Sequence, residues 1–166
     1  MDVSRTLQHL FFFDGQVHRA FPPASLYAIE KAIQASEQTH GGEIRFVVEA
    51  SLEGTALWQG QIARERAIDV FSQLRIWDTE ANNGVLIYLL LADQSVEIIA
   101  DRGIHARTGG APWVAICGAM ELAFSKSEFL PGTLRGISSI AKVIGHHFPA
   151  QSKRTNELPD TPVVLT

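Results

Sequence analysis

NNGVLIYLLLADQSVEIIADRGIH, residues 82–105, is the stretch whose reading decides the fold. From Val85 to Ala92 it is apolar on both alternating faces, the pattern of a central strand covered on two sides. Asp93-Gln94-Ser95 makes a tight polar turn, and Val96 to Ala100 reads as the returning strand of a hairpin. The amides Asn82-Asn83 precede this hairpin and the pair Asp101-Arg102 follows it. Two polar ends, far apart in sequence, are thus attached to one apolar body.

Working outward, EIRFVVEAS (43–51) alternates Ile44, Phe46 and Val48 with Arg45, Val47 and Glu49, which predicts a half-buried strand. Residues 57–75 return to helical spacing, with Ala63, Ala67, Val70, Phe71 and Leu74 on one side. A helix over Ser25–Thr39 carries the stripe Leu26, Ile29 and Ile33, and His40-Gly41-Gly42 stops it. Ahead of it, Arg5 to Phe13 reads as a short helix and GQVHRAFPP as a connector ending in a proline pair. Downstream, helices are predicted over Ala111–Ser125 and Gly132–His147. The polar tail QSKRTNELPDTPVVLT reads as extended, with a short docked strand at Val163–Leu165. This order predicts an α/β fold, a three-layer α/β/α sandwich around a small mixed sheet with a central β-hairpin. One domain is expected over 22–149, flanked by an N-terminal helix and connector (1–21) and a C-terminal tail (150–166).

Composition bounds the function classes. A chain of 166 residues with 46% hydrophobic and 19% charged residues suits one soluble globular domain. A formal net charge of −4, with no dense basic stripe, argues against a nucleic-acid partner. The single cysteine, Cys117, excludes an internal disulfide and an all-cysteine metal site. No apolar run reaches the roughly 18 residues a bilayer span needs, and the Leu10–Phe13 cluster is too short for a secretory signal. A cytoplasmic location without a membrane span is therefore expected.

Chain topology then gathers the polar residues. A strand–helix–strand unit makes a right-handed crossover, so the strands near 44–50 and 85–92 run parallel and 96–100 returns antiparallel. One edge of the sheet should collect His40, Glu43, Asp78, Glu80, Asn82, Asn83, Asp101, Arg102 and His105, with Gly109-Gly110-Ala111-Pro112 nearby. Carboxylates and amide oxygens on loops are ligands of calcium and magnesium. Asp101 with Arg102 supplies an acid beside an anion-binding fork. The plainer readings stand beside these: Asn82-Asn83-Gly84 as a turn, Asp78 as a loop terminator, and Arg102 paired with Glu43 or Asp101. His146-His147 fit a helix C-terminus, and Cys117 fits a packed core thiol. Trp58, Trp77 and Trp113 fit packing anchors, and Ser138-Ser139 lack a nucleophile elbow. No P-loop, GxGxxG, HExxH or GxSxG pattern occurs.

The run WDTEANNGVLIYLLLADQSVEIIADRGIH resembles the signature of the TPM-domain family. So do HGGEIRFVVEASL, the RERAIDVFSQLRIWDTEANNGVL block and the FLPGTLRGISSIAKVIGHHFP block. The likeness extends over roughly residues 22 to 149 and is to the short bacterial members without a membrane anchor. The resemblance implies an α/β/α sandwich with divalent cations, calcium especially, at acidic loop positions on one sheet edge. It also implies adaptor-like roles in photosystem repair or receptor modulation, and a weak acid phosphatase activity proposed for a plant lumen relative. Carried over by position, it points to Asp78, Asn82, Asn83 and Asp101 as metal ligands. Many members have a Gly-Tyr-Gly type turn where this chain has Ala100-Asp101-Arg102-Gly103, so an arginine supplies positive charge inside the site.

Two readings follow. In the first the protein is a non-catalytic module that binds a divalent cation or an anionic ligand and acts through a protein partner, with Glu43, Asn82, Asn83 and Arg102 as ligand-binding residues. In the second it is a metal-assisted phosphomonoester hydrolase, with Asp101 and Arg102 as the catalytic candidates. The first is preferred, because no carboxylate pair has a spacing that demands catalysis. A third reading, a structural partner protein, uses the Leu10–Phe13 cluster as its contact.

Overall fold

Residues 5, 6, 9, 12, 14–150 and 155–165 are described by a computed structural model. In chain order the helices and strands are α1 (Asp14–Ala20), α2 (Pro23–Glu37), β1 (Glu43–Glu49), α3 (Gly54–Trp58), α4 (Ala63–Gln73), β2 (Gly84–Leu90), β3 (Ser95–Ala100), α5 (Arg102–Thr108), α6 (Ala111–Phe124), α7 (Phe129–His147) and β4 (Val163–Leu165). The four strands form one mixed sheet in the order β3-β2-β1-β4. β1 and β2 run parallel, with Glu43 opposite Gly84 and Glu49 opposite Leu90. β3 returns antiparallel beside β2, with Val85 opposite Ala100 and Leu90 opposite Ser95.

Two apolar cores lie on opposite faces of this sheet. On one face Ile44, Phe46, Val48, Val85, Ile87 and Leu89 meet α1, α2, α6 and α7. On the other, Val47, Leu86, Tyr88 and Leu90 meet Ala67 and Val70 of α4 together with Leu158 of the tail. Helices therefore cover both faces and the architecture is an α/β/α sandwich. β2 is buried at all seven positions, as its two-faced apolar pattern requires.

The structure departs from the sequence expectations in four places. The stretch expected as a connector contains α1, because Val17 and Phe21, one helical turn apart, are both fully buried. The helix expected over 57–75 is two helices, broken at Gly60, whose φ of 75° favours a residue without a Cβ. The third departure is α5, a helix the sequence did not announce: among its seven residues only Ile104 is buried, so there is no apolar stripe to read. The fourth is β1, expected to be half-buried and in fact buried along its whole length. Its charged side chains are held internally, as described below. Of the helix expected over residues 5–13, Leu7, Gln8, Leu10, Phe11 and Phe13 lie outside the described residues.

The tail closes the sheet. Val163, Val164 and Leu165 pair in parallel with Val47, Val48 and Glu49. Arg45 donates to the carbonyls of Pro159 and Thr161, and the Leu158 N–H donates to Glu43 Oε2 at 3.2 Å. Burial pulls the Arg45 guanidinium below its ordinary value, while Asp160 and Glu37 oppose the shift. No helix among the described residues is long and apolar enough to cross a membrane.

Candidate functional site

The parallel register of β1 with β2, and the antiparallel return of β3, bring Glu43, Gly84 and Ala100 to the same end of the sheet. The first bonds beyond the strands fix the loops there. The Asp101 N–H donates to Gly84 O at 2.8 Å, and the Glu43 N–H donates to Asn83 O at 3.0 Å. Asn83 Nδ2 donates to Gly41 O at 2.5 Å, and its own N–H donates to Thr79 Oγ1 at 3.1 Å. Asn82 adopts a left-handed φ of 50°, a conformation that asparagine tolerates.

Asp101 sits at the junction of strand and helix. It is the N-cap of α5: its Oδ1 accepts from the Arg102 N–H at 2.7 Å. The next residues of α5 return to the same loop. Arg102 Nε donates to Asn82 Oδ1 at 2.8 Å, and the Gly103 N–H donates to Asn82 O at 3.0 Å. Gly103 is required by this approach, since a Cβ there would stand 2.5 Å from Asn82 O and 2.7 Å from Ala81 O. The expectation that Asn82-Asn83 and Asp101-Arg102 gather at one edge of the sheet is thus met by direct hydrogen bonds.

The edge contains two oxygens of a special kind. Asp101 Oδ2 and Asn83 Oδ1 are both buried and accept no hydrogen bond among the described residues. Each belongs to a buried residue, at 8% and 5% exposure respectively. Their backbones are adjacent at this edge, since the Asp101 N–H bonds to Gly84, the residue next to Asn83.

The remaining sequence candidates are placed differently. Glu43 is fully buried, and its carboxylate takes the tail N–H of Leu158, so it anchors the tail rather than facing solvent. His40 is buried with its Nδ1 accepting from the Gly42 N–H at 3.1 Å. Asp78 is exposed on the turn after α4, with its N–H bonded to Arg75 O at 3.0 Å. Glu80 is exposed and His105 lies on the exposed side of α5. Among the described residues no three His, Cys, Asp or Glu side chains group as a metal-holding cluster. His146 and His147 cap α7 edge to face at 4.8 Å, and Arg107 binds the His147 carbonyl at 3.0 Å. Burial first, then the nearby charge of Glu97, pushes the Cys117 thiol up to about 12, which makes it a poor nucleophile.

The opposite end of the sheet carries polar groups that the sequence reading passed over. Arg66 holds Glu49 with three bonds, from Nη2 at 2.8 Å and from Nε at 2.9 and 3.2 Å, and the buried Tyr88 hydroxyl donates to Glu49 Oε2 at 2.5 Å. Burial, then the Glu49 charge, pushes the Tyr88 phenol far above its ordinary value. In the β2–β3 turn, Asp93 accepts from Arg5 at 2.7 Å and from His9 Nε2 at 2.8 Å. His9 Nδ1 in turn accepts from the Leu52 N–H at 2.9 Å, which fixes the tautomer in which Nε2 carries the proton. Burial raises the Asp93 carboxyl, but the hydrogen bonds from Arg5 and His9 and the charge of Arg5 outweigh it and hold the group below the usual carboxylate range. The only sequence cue for these pairs was the presence of charges inside apolar strands and turns.

Comparison with known proteins follows the same architecture. The TPM domain family matches residues 18–143. The BA42 protein of the psychrophilic bacterium Bizionia argentinensis, solved by NMR, is 31% identical with a TM-score of 0.75, over 86% of this chain and 93% of that one. The N-terminal domain of a protein from P. gingivalis, also solved by NMR, shares the fold at 16% identity and a TM-score of 0.62, over 80% of this chain and 82% of that one. No curated protein matches the chain.

Proposed function

The chain belongs to the TPM domain family, and from that premise we propose that its polar edge holds a divalent cation, calcium or magnesium, in a module that acts by binding, through a protein partner, rather than by turnover. The observation that supports this is the pair of buried oxygens, Asp101 Oδ2 and Asn83 Oδ1, that accept no hydrogen bond among the described residues. A buried acceptor left without a donor costs about 1–3 kcal/mol. A hard cation satisfies a carboxylate and an amide oxygen together, and both are oxygen types that calcium and magnesium take. Asn82 and Asp78 stand in the proposal as rim groups, and Arg102 as the charge that draws an anionic group of the ligand toward the cation.

The donor set also bounds the strength. Ligand charge tunes calcium affinity, and a site with one buried carboxylate belongs in the weak range, on the order of 10⁻⁴ to 10⁻³ M. At ten times such a dissociation constant, linkage adds about 1.4 kcal/mol to stability. For a chain of this size that is a rise of a few degrees in melting temperature, roughly 2–4 °C per kcal/mol. Thermal unfolding with millimolar calcium, magnesium and manganese therefore tests the proposal. Asp101→Asn keeps an N-cap acceptor but loses the charge, and is expected to abolish the rise. An unchanged melting temperature of the wild type with all three cations defeats the reading.

A second reading, cation-assisted hydrolysis of phosphomonoesters, is favoured by one detail. Arg102 is exposed, and among the described residues its side chain is bonded through Nε alone, which leaves its outer guanidinium nitrogens for an anion's oxygens. Turnover of an aryl phosphate that falls in both Asp101→Asn and Arg102→Ala would support it. Equal turnover by wild type and both variants would assign the activity to a contaminant.

A further inference from the structure

At the end of the sheet opposite the polar edge lies a cavity of about 400 Å³. Gln16 and Arg19 of α1, Leu89 of β2, and Phe124 and Phe129 are among its lining residues. The two phenylalanine rings stack at 5.5 Å, and both pack against Phe21, so the apolar wall is braced by the core rather than free to collapse. The volume lies in the lower part of the range of small-molecule sites, about 300–1,000 Å³. Its position, outside the carboxyl end of β2, is where open α/β sheets commonly receive ligands.

Two polar groups give the cavity a chemical direction. Gln16 Oε1 is buried and has no hydrogen-bond partner among the described residues. Arg19 is exposed and makes no ion pair among the described residues, although it stands on the cavity wall. We propose that this cavity binds a small apolar carboxylic acid that also carries a hydroxyl or N–H donor. The apolar body packs against Phe124 and Phe129, the donor meets Gln16 Oε1, and the carboxylate leaves the mouth toward the Arg19 guanidinium. An apolar molecule with no donor leaves Gln16 unsatisfied, and one with no acid leaves Arg19 without its partner. A cationic ligand is disfavoured by Arg19. This site is independent of the cation reading, since it shares no residue with the polar edge.

Calorimetric titration of the full chain with 3-hydroxydecanoate and with indole-3-acetate tests the inference. At least one of these, an aliphatic and an aryl acid that each carry a donor, is expected to bind at micromolar to millimolar concentration. Decanoate and naphthalene-1-acetate, which lack the donor, are expected to bind several-fold more weakly than their counterparts. Arg19→Gln lies on the surface and is expected to lower the affinity about tenfold without changing the melting temperature. Gln16→Leu is expected to erase the preference for the donor while keeping or raising the melting temperature, because a buried orphan acceptor is removed. That last pattern separates a ligand contact from a folding defect. The inference is overturned if neither donor-bearing acid binds at millimolar concentration. It is equally overturned if affinity is unchanged in Arg19→Gln, or if the donor preference is absent in the wild type or survives in Gln16→Leu.

Discussion

Glu49 and Asp101 are both buried carboxylates at the ends of strands in the same sheet, at 4% and 8% exposure, yet their surroundings differ in kind. Glu49 is saturated: Arg66 covers it with three bonds and Tyr88 adds a fourth. Asp101 caps a helix with one oxygen and leaves the other without a donor among the described residues. Burial alone therefore does not mark a functional acid. A saturated carboxylate has its charge neutralised by the fold, and its removal is felt as stability. On the proposed cation reading, a half-satisfied one keeps an acceptor for the ligand, and its removal is expected to be felt as binding.

Exchanging the two roles by mutation breaks or sharpens this contrast. Glu49→Gln carries the largest expected effect, about 3 kcal/mol lost, because it removes one partner of a buried pair. Urea unfolding measures it, with no change expected in the response to calcium. Gly103→Ala comes next, at about 2 kcal/mol, the usual scale of overpacking, since its Cβ would press on Asn82 O. Unlike Glu49→Gln, it is expected to blunt the cation response as well, by pushing α5 away from the Asn82 loop. Asp93 offers a pH test of the saturated class. Its folded carboxyl titrates below the unfolded value, so its contribution is present above about pH 3.9 and is lost as the pH falls through the folded pKa. Stability of the wild type should therefore drop on acidification through this window, and the drop should be shallower in Asp93→Asn. Asp101→Asn carries the smallest stability effect, within about 0.5 kcal/mol because the cap is retained. A large loss of stability in that variant, with an intact cation response, would place Asp101 with Glu49 after all.

The hairpin and the meeting of its polar ends were legible because periodicity and chain direction are sequence properties. Val85 to Ala92 has no polar residue to place in solvent, and the crossover rule then sets where Asn83 and Asp101 must go. The burial of β1 was not legible, because Glu43, Arg45 and Glu49 make it look solvated on one face. Their partners are Leu158, the carbonyls of Pro159 and Thr161, and Arg66, and nothing local announces them. Similarly, Glu43 was read as a ligand residue because its position on the edge was visible and its tie to the tail was not. Which oxygen of an edge residue remains without a donor is decided by such bonds. The location of the candidate site could therefore be read from the chain, and the identity of its available atoms could not.

The pairing of β4 with β1 has a consequence for how the chain assembles. Val47 meets Val163 across the sheet, and Arg45 meets Thr161 just outside it. During synthesis β1 can pair with β2 as soon as the hairpin emerges, but its other edge stays open until the tail has been made. An open strand edge is a template for pairing between chains, and such late, non-local closures are slow and exposed to aggregation. Two charged residues of β1 that obscured its burial, Glu43 and Arg45, take partners in the tail; until it arrives they are expected to hold water along the strand and to discourage a second copy from taking the place of β4.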